Sequence, residues 1–270
     1  MIGENKYFKI LSKYRRMYRP RVIPILLLKG QGLVKSIQFK DYRYIGDPIN
    51  TVKILNDLKA DELIILDILA SREKRCISSD FVRIVGDEAN MPVAFGGGIR
   101  TIEQIKEIIN AGAEKVVINT YAVENPTFIK QASEQFGSST IVVSMDVKKR
   151  LFGKKQLYTY SGTKATGINP VDFARKMEAN GAGEIIVNSV ELDGMMTAYD
   201  LDLIKEISEA VTIPVVALGG AGDFSDFQRA IKDSYASAVA AGSLFVYHGA
   251  RRAVLVNYPS SNELKNLVLV

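Results

Sequence analysis

The sequence has no tryptophan, one cysteine and one histidine in 270 residues. With Cys76 alone, an internal disulfide is excluded, and the chain suits a reducing cytoplasmic setting. With His248 alone, a multi-histidine metal site is impossible, and serine–histidine catalysis would have to rest on that one residue. No apolar run reaches the roughly 18 residues of a membrane span. The N-terminus lacks an apolar stretch ending in a small-residue cleavage site, so no secretory signal is expected. Neither a metal nor an organic cofactor is expected.

An excess of one charge sign is also missing from most of the chain. Lys6, Lys9, Lys13, Arg15, Arg16 and Arg19 stand against Glu4, which accounts for the whole net charge of +5. Residues 1–18 are therefore expected to be a solvated basic extension, with Met17 as a second candidate start, and 19–270 one domain. A basic tail can engage nucleic acid or a membrane surface. With a near-neutral body, neither partner is expected.

What the chain does have is a repeat. Val93-Ala-Phe-Gly-Gly-Gly-Ile-Arg100 returns as Val215-Val-Ala-Leu-Gly-Gly-Ala-Gly222, each copy preceded by a proline, Pro92 or Pro214. Each leads into a second β-rich run, Lys115-Val-Val-Ile-Asn-Thr120 and Ala238-Val-Ala-Ala-Gly-Ser243. Around these lie eight short apolar runs, at 22–28, 62–67, 92–95, 115–119, 140–146, 184–189, 214–218 and 237–241. Helix-start signals separate them, among them Asp47-Pro48, Ser79-Asp80, Thr101, Asn125-Pro126, Asn169-Pro170 and Asp223. A long polar and aromatic segment at 29–47 is expected to be a functional loop. A second polar segment follows Asp146, with a hairpin expected over 158–163, and a helical region is expected to close the chain.

Eight βα units predict a (β/α)8 barrel made of two duplicated halves. An open doubly wound sheet fits less well. Its fingerprint fails at Thr101 in Gly96-x-Gly98-x-x-Thr101, and that stretch does not follow the first strand.

In such a barrel the chemistry sits at the C-terminal strand ends. Gly96, Gly97 and Gly98 admit a ligand close to the backbone. The helix starting near Thr101 is expected to aim free N–H groups at the same place, as an anion site requires. Asn119 and Thr120 would add side-chain donors. Gly219, Gly220, Gly242 and Ser243 form the second copy. Two equivalent phosphate grips are therefore expected, although glycines there could equally serve only tight turns. Lys35, Asp193 and Gly194 join the substrate-binding candidates. Among acids at strand ends (Asp67, Asp146, Glu191 and Asp193), Asp146 is the best general base. The competing reading is a structural pair with Lys148. Aligning the two halves sets Leu27 opposite Asp146. Arg21, Glu62, Lys115 and Glu184 stand at strand starts, where they could close an ion-pair ring across the barrel floor. His248 and Cys76 carry no expected role.

From about Met17 onward the chain resembles the cyclase subunit of imidazole glycerol phosphate synthase. The matching segments are Asp61-Glu-Leu-Ile-Ile-Leu-Asp67, Phe95-Gly-Gly-Gly-Ile99, Val117-Ile-Asn-Thr120, Tyr160-Ser-Gly162, Gly181-Ala-Gly-Glu184, Asp193-Gly194 and Gly219-Gly-Ala-Gly222. The resemblance implies a duplicated half-barrel that receives ammonia from a glutamine amidotransferase and acts on a phosphorylated small molecule. It implies phosphate contacts at Gly98, Asn119, Thr120, Gly220 and Ser243, and a base at Asp146. It also implies an ammonia gate of Arg21, Glu62, Lys115 and Glu184. Leu27 departs from the pattern, which has a second catalytic aspartate there. Leu218 and Met195 replace polar residues near the second grip. The stretches 19–29, 44–48 and 252–259 look more like a paralogue, the acetamidino modification protein of surface-polysaccharide or flagellar-glycan loci. That likeness implies a sugar-nucleotide substrate.

Overall fold

The computed structural model describes residues 19–149, 153–249 and 251–267. The expected extension over 1–18 and the second start at Met17 lie outside the described residues. The strands are β1 (Arg21–Lys29), β2 (Gly32–Ile37), β3 (Lys40–Gly46), β4 (Leu63–Asp67), β5 (Val93–Gly96), β6 (Lys115–Ile118), β7 (Ile141–Lys149), β8 (Lys155–Thr159), β9 (Lys164–Ala165), β10 (Glu184–Ser189), β11 (Val215–Leu218), β12 (Ala238–Ala241), β13 (Tyr247–His248) and β14 (Ala253–Val254). Strands β1, β4, β5, β6, β7, β10, β11 and β12 pair in parallel in that order. Strand β12 pairs back onto β1 and closes the barrel. The (β/α)8 barrel is thus the fold, built of two halves that begin at β1 and β7.

Period-two alternation explains why these strands are apolar throughout. Ile23, Ile25 and Leu27 of β1 point inward, where they meet Ile64, Val117, Val142, Ile186 and Val216. Val22, Leu26 and Leu28 point outward, under the helices. The helices start where side chains can satisfy the first free N–H groups. Asp47 caps Pro48–Asp57 and Asn169 caps Pro170–Ala179, each with proline in the first turn. Thr101 with Gln104, and Asp223 with Asp226, form reciprocal capping boxes on Ile102–Asn110 and Phe224–Lys232.

Three segments differ from expectation. Residues 29–47 form no open loop but an antiparallel ribbon of β2 and β3 on the end of β1. The polar segment after Asp146 is its counterpart. Strand β7 runs on to Lys149, pairs with β8, and β9 completes the expected hairpin. The chain end, expected to be helical, first forms the two-residue strands β13 and β14 and then closes in one short helix, Ser261–Lys265. Gly249 and Arg252 make the turn between the two strands with positive φ angles of 68° and 49°, which a helix does not allow. Tyr258 then donates to Val22 O at 2.8 Å and ties the tail to the floor of the barrel. Arg19, counted with the basic extension, belongs to the body because it pairs with Asp61.

The floor carries the expected ring. The Arg21 guanidinium bonds both Glu62 and Glu184, and Lys115 Nζ bonds the same two carboxylates at 2.9 and 3.1 Å. Both carboxylates are nearly covered, at 4% and 7% side-chain exposure. Removing one partner strands the cations beside a single carboxylate. Glu62→Ala should therefore cost about 3 kcal/mol in urea unfolding. A loss below about 1 kcal/mol would mean that the ring behaves as solvated surface pairs.

Candidate functional site

At the C-terminal mouth the inward positions form one layer with two unlike arcs. Asn119, Asp146 and Asn188 follow or end the neighbouring strands β6, β7 and β10. Leu27, Leu66 and Leu218 end or near the ends of β1, β4 and β11 and line the same cavity. Asp146 is in register with Asn188, and Leu27 with Leu66. Strands β7 and β10 begin the second half as β1 and β4 begin the first. The same backbone positions thus carry an acid–amide pair in one half and two leucines in the other.

Asp146 is buried at 8% exposure. Asn119 Nδ2 donates to its Oδ2 at 2.8 Å, and Asn188 Nδ2 to its Oδ1 at 3.1 Å. Burial pushes its pKa up to about 6, against the restraining pull of the two amides and of Lys148. Lys148 is not its ion-pair partner. The Lys148 ammonium donates instead to Gly162 O at 2.6 Å. The Asn119 amide N–H is thus engaged by the Asp146 carboxylate. Asn188 is a further cavity residue, and the parallel register of β7 and β10 is what sets it beside Asp146. The amide oxygens of Asn119 and Asn188 are buried without a hydrogen-bond partner among the described residues. The network fixes their orientation, because only Nδ2 can serve a carboxylate.

The glycine grips are built differently from expectation. The helices Ile102–Asn110 and Phe224–Lys232 have N-termini occupied by their own capping boxes, so they offer few free donors. At the mouth, two shorter turns have starts without a side-chain cap, Thr120–Glu124 after β6 and Ser243–Phe245 after β12. Both open into the cavity at equivalent places, beside Asn119 and Gly242. Thr120 Oγ1 already accepts from Tyr160 N at 3.2 Å. Gly97, Gly98, Gly219 and Gly220 line the cavity. Gly98 and Gly220 must be glycine, with φ of 67° and 116° and with backbone carbonyls, of Arg75 and Ala198, where a Cβ would stand. Gly242 leaves room for Lys35 Nζ, and Gly194 lies against Ser36 O.

The two ribbons roof the mouth from opposite halves. Gln38 N donates to Asp193 O at 2.9 Å, and Ser161 Oγ to Ile68 O at 3.0 Å. Lys35, on β2, is buried and donates to Ile25 O at 2.5 Å. Burial lowers its pKa and raises that of Asp193, and each charge restrains the shift of the other. Of the other acids, Asp67 is paired with Arg75 at 2.5 Å. Met195 is 37% exposed, and Met196 lines the cavity in its place. His248 is exposed on β13, away from the cavity. Burial pushes the Cys76 thiol up to about 11, so it stays protonated. No group of three or more His, Cys, Asp or Glu could hold a metal ion among the described residues. No helix of theirs is long and apolar enough to cross a membrane.

The fold is a duplicated parallel (β/α)8 barrel with a cavity at its C-terminal mouth, lined by the buried carboxylates Asp67 and Asp146 and by Asp193. The chain belongs to the histidine biosynthesis protein family, whose pattern matches residues 21–251. It is 45% identical over 253 residues to a Vibrio vulnificus protein provisionally named imidazole glycerol phosphate synthase subunit hisF3, covering 93% of this chain and 96% of that one. It is 43% identical over 248 residues to the provisionally named subunit hisF2 of Pseudomonas aeruginosa, covering 92% and 99%. It is 44% identical over 232 residues to imidazole glycerol phosphate synthase subunit HisF of Alkaliphilus metalliredigens, covering 86% and 92%.

The amide bonds favour the ionised form of Asp146, so their loss must raise its pKa further. Asn188→Ala should move the carboxyl titration from about 6 upward, by about one unit for a charge-assisted bond. Carbon NMR of the Asp146 carboxyl checks this. A titration that stays put would mean that water replaces the amide fully.

Proposed function

We propose that this chain is the ammonia-using synthase subunit of a glutamine amidotransferase complex, acting on an amide-bearing sugar nucleotide. The product class would be an acetamidino sugar of surface polysaccharide or flagellar glycan. The observation that carries the reading is the polar arc. Asp146 offers a base, and the two unpartnered amide oxygens of Asn119 and Asn188 call for an N–H donor. Ammonia and the amidine it forms both supply N–H groups. The leucine arc opposite suits the methyl of an acetamido group. Family membership and the names of the relatives support a synthase subunit.

The mechanism follows from these positions. Ammonia enters past Arg21, Glu62, Lys115 and Glu184, where one ion pair must open, and crosses an apolar interior that favours the neutral molecule over ammonium. It adds to the amide carbon beside Asp146, which takes an N–H proton. The bound substrate carries its amide as an O-phosphoryl imidate, so ammonia forms the new C–N bond, the C–O bond breaks, and the former amide oxygen leaves with the phosphate to give the amidine. The turn at Thr120, with Gly97 and Gly98, faces the activating phosphoryl group, and the turn at Ser243, with Gly219, Gly220 and Gly242, faces the inner end of the nucleotide diphosphate.

A second reading, imidazole glycerol phosphate synthase in histidine biosynthesis, is favoured by the names of the relatives. Against it stands Leu27, which cannot move a proton where the resemblance implies an acid. A scaffold role is a third reading, and the cost of burying Asp146 speaks against it.

With a glutaminase partner, an activated acetamido sugar nucleotide should be converted in the presence of ammonium salts. Asp146→Asn should lower that rate at least about a hundredfold. The rate should also fall below the Asp146 pKa of about 6 as the base is protonated. Arg21→Ala should retain ammonium-driven turnover and lose coupling to glutamine. Imidazole glycerol phosphate formed from the histidine-pathway substrate would replace this reading by the second. Full function in Asp146→Asn would replace it by the third.

A further inference from the structure

A cluster of cations outside the cavity has no role in the chemistry above. The β2–β3 and β13–β14 ribbons meet at Tyr247, a buried ring. The guanidinium carbons of Arg43 and Arg252 each lie 6.0 Å from its centroid. Arg43 comes from the first ribbon, Arg252 from the second. Neither makes an ion pair or a side-chain hydrogen bond among the described residues. Each contact with the ring contributes only about 0.5–1 kcal/mol at an exposed site. Two like charges that share one ring repel each other, and a bound anion relieves that repulsion.

The cluster continues into the cavity. Arg43 is in register with Lys35 across β2 and β3, which puts both side chains on one face of the ribbon. Lys35 Nζ fills the space above Gly242, at the second grip. Ser243–Phe245 follows at once, and Tyr247 is two residues beyond that turn. Cations therefore run from the grip, over the rim, to Arg43 and Arg252.

We infer that this rim binds the diphosphate of a nucleoside diphosphate. Lys35 meets the phosphate nearest the cavity, and Arg43 and Arg252 hold the outer one. Guanidinium forks match phosphate oxygens, and the Tyr247 ring is a contact that Arg43 and Arg252 share. The inference rests on the sugar-nucleotide reading given under Proposed function and says where the nucleotide end lies. The sugar then hangs inward, toward Asp146.

Calorimetric titration of the full chain with UDP tests it, with uridine, pyrophosphate and inorganic phosphate as further probes. UDP should bind, and uridine should bind far more weakly. Arg43→Ala and Arg252→Ala should each weaken UDP about tenfold, as loss of a charged hydrogen bond does. Arg43→Lys should recover part of the loss. Phosphate binding should change less than about twofold, since the grips are intact. Both arginines lie at the surface, and an unchanged thermal midpoint confirms folding.

UDP affinity that ignores both substitutions overturns the inference, as does uridine binding as tightly as UDP. Pyrophosphate binding as tightly as UDP overturns the nucleoside assignment. The two failures are separable. Arginine-dependent UDP binding without ammonia-dependent turnover supports the rim and sinks the reaction. Turnover with unchanged KM in the Arg43→Ala, Arg252→Ala double variant sinks the rim and keeps the reaction.

Discussion

A carboxylate buried at the end of a barrel strand needs donors from its neighbours, and Asp146 receives one from each side. Asn119 stands just past β6 and Asn188 on β10, with β7 between them. This small network depends on the register of three parallel strands. A slip of one residue would turn Asp146 outward under the helices and both amides with it. Closure of the barrel prevents such a slip, because each strand is bonded on both sides. The apolar layer beneath adds to that fixity: Ile23, Ile64, Val142 and Val216 fill the interior only in one register. The site's electrostatics are therefore a consequence of the barrel's packing.

Duplication supplies two backbones of one design, and the differences between them hold the chemistry. Leu27 and Leu66 pair as Asp146 and Asn188 pair. Both halves send an antiparallel ribbon over the mouth after their first strand. Both halves close a grip with an uncapped turn after their fourth strand, at Thr120 and at Ser243. The backbone around the cavity is thus nearly symmetric. On the proposed reading, the base lies in one half, at Asp146.

The sequence was legible where a pattern depends on neighbouring residues. The eight strands, the capped helix starts and the duplicated glycine ends follow from local periodicity and turn chemistry. The floor ring was also readable, because strand starts in a closed barrel converge on one mouth. Three things were not. The N-termini after the glycine clusters read as free, because a capping box and an anion site use the same residues and differ only in where Gln104 and Asp226 turn. The ribbons at 29–47 and 247–254 lack strong alternation and take their shape from pairing with distant strands. Met195 and Met196 are sequence neighbours, and only the backbone, with φ of 60° at Met196, decides which one faces the cavity.

The distribution of charge along the barrel axis narrows what can pass through it. Charges gather at the floor, in the ring of Arg21, Glu62, Lys115 and Glu184, and at the mouth, around Asp146 and Lys35. Between these ends lies an apolar layer of Ile23, Ile64, Val142 and Ile186. An ion would lose its hydration there without a partner, at a cost of several kcal/mol or more. A small neutral molecule loses far less. At the mouth it would meet a carboxylate and two amide oxygens, all acceptors. On the proposed reading, the same buried acceptors that make the mouth costly in isolation become favourable once a neutral N–H donor has arrived from below. Leu27 fits the same logic. An acid at that position would set a second negative charge opposite Asp146 and push its pKa still higher, whereas an alkyl chain leaves one base poised near neutrality.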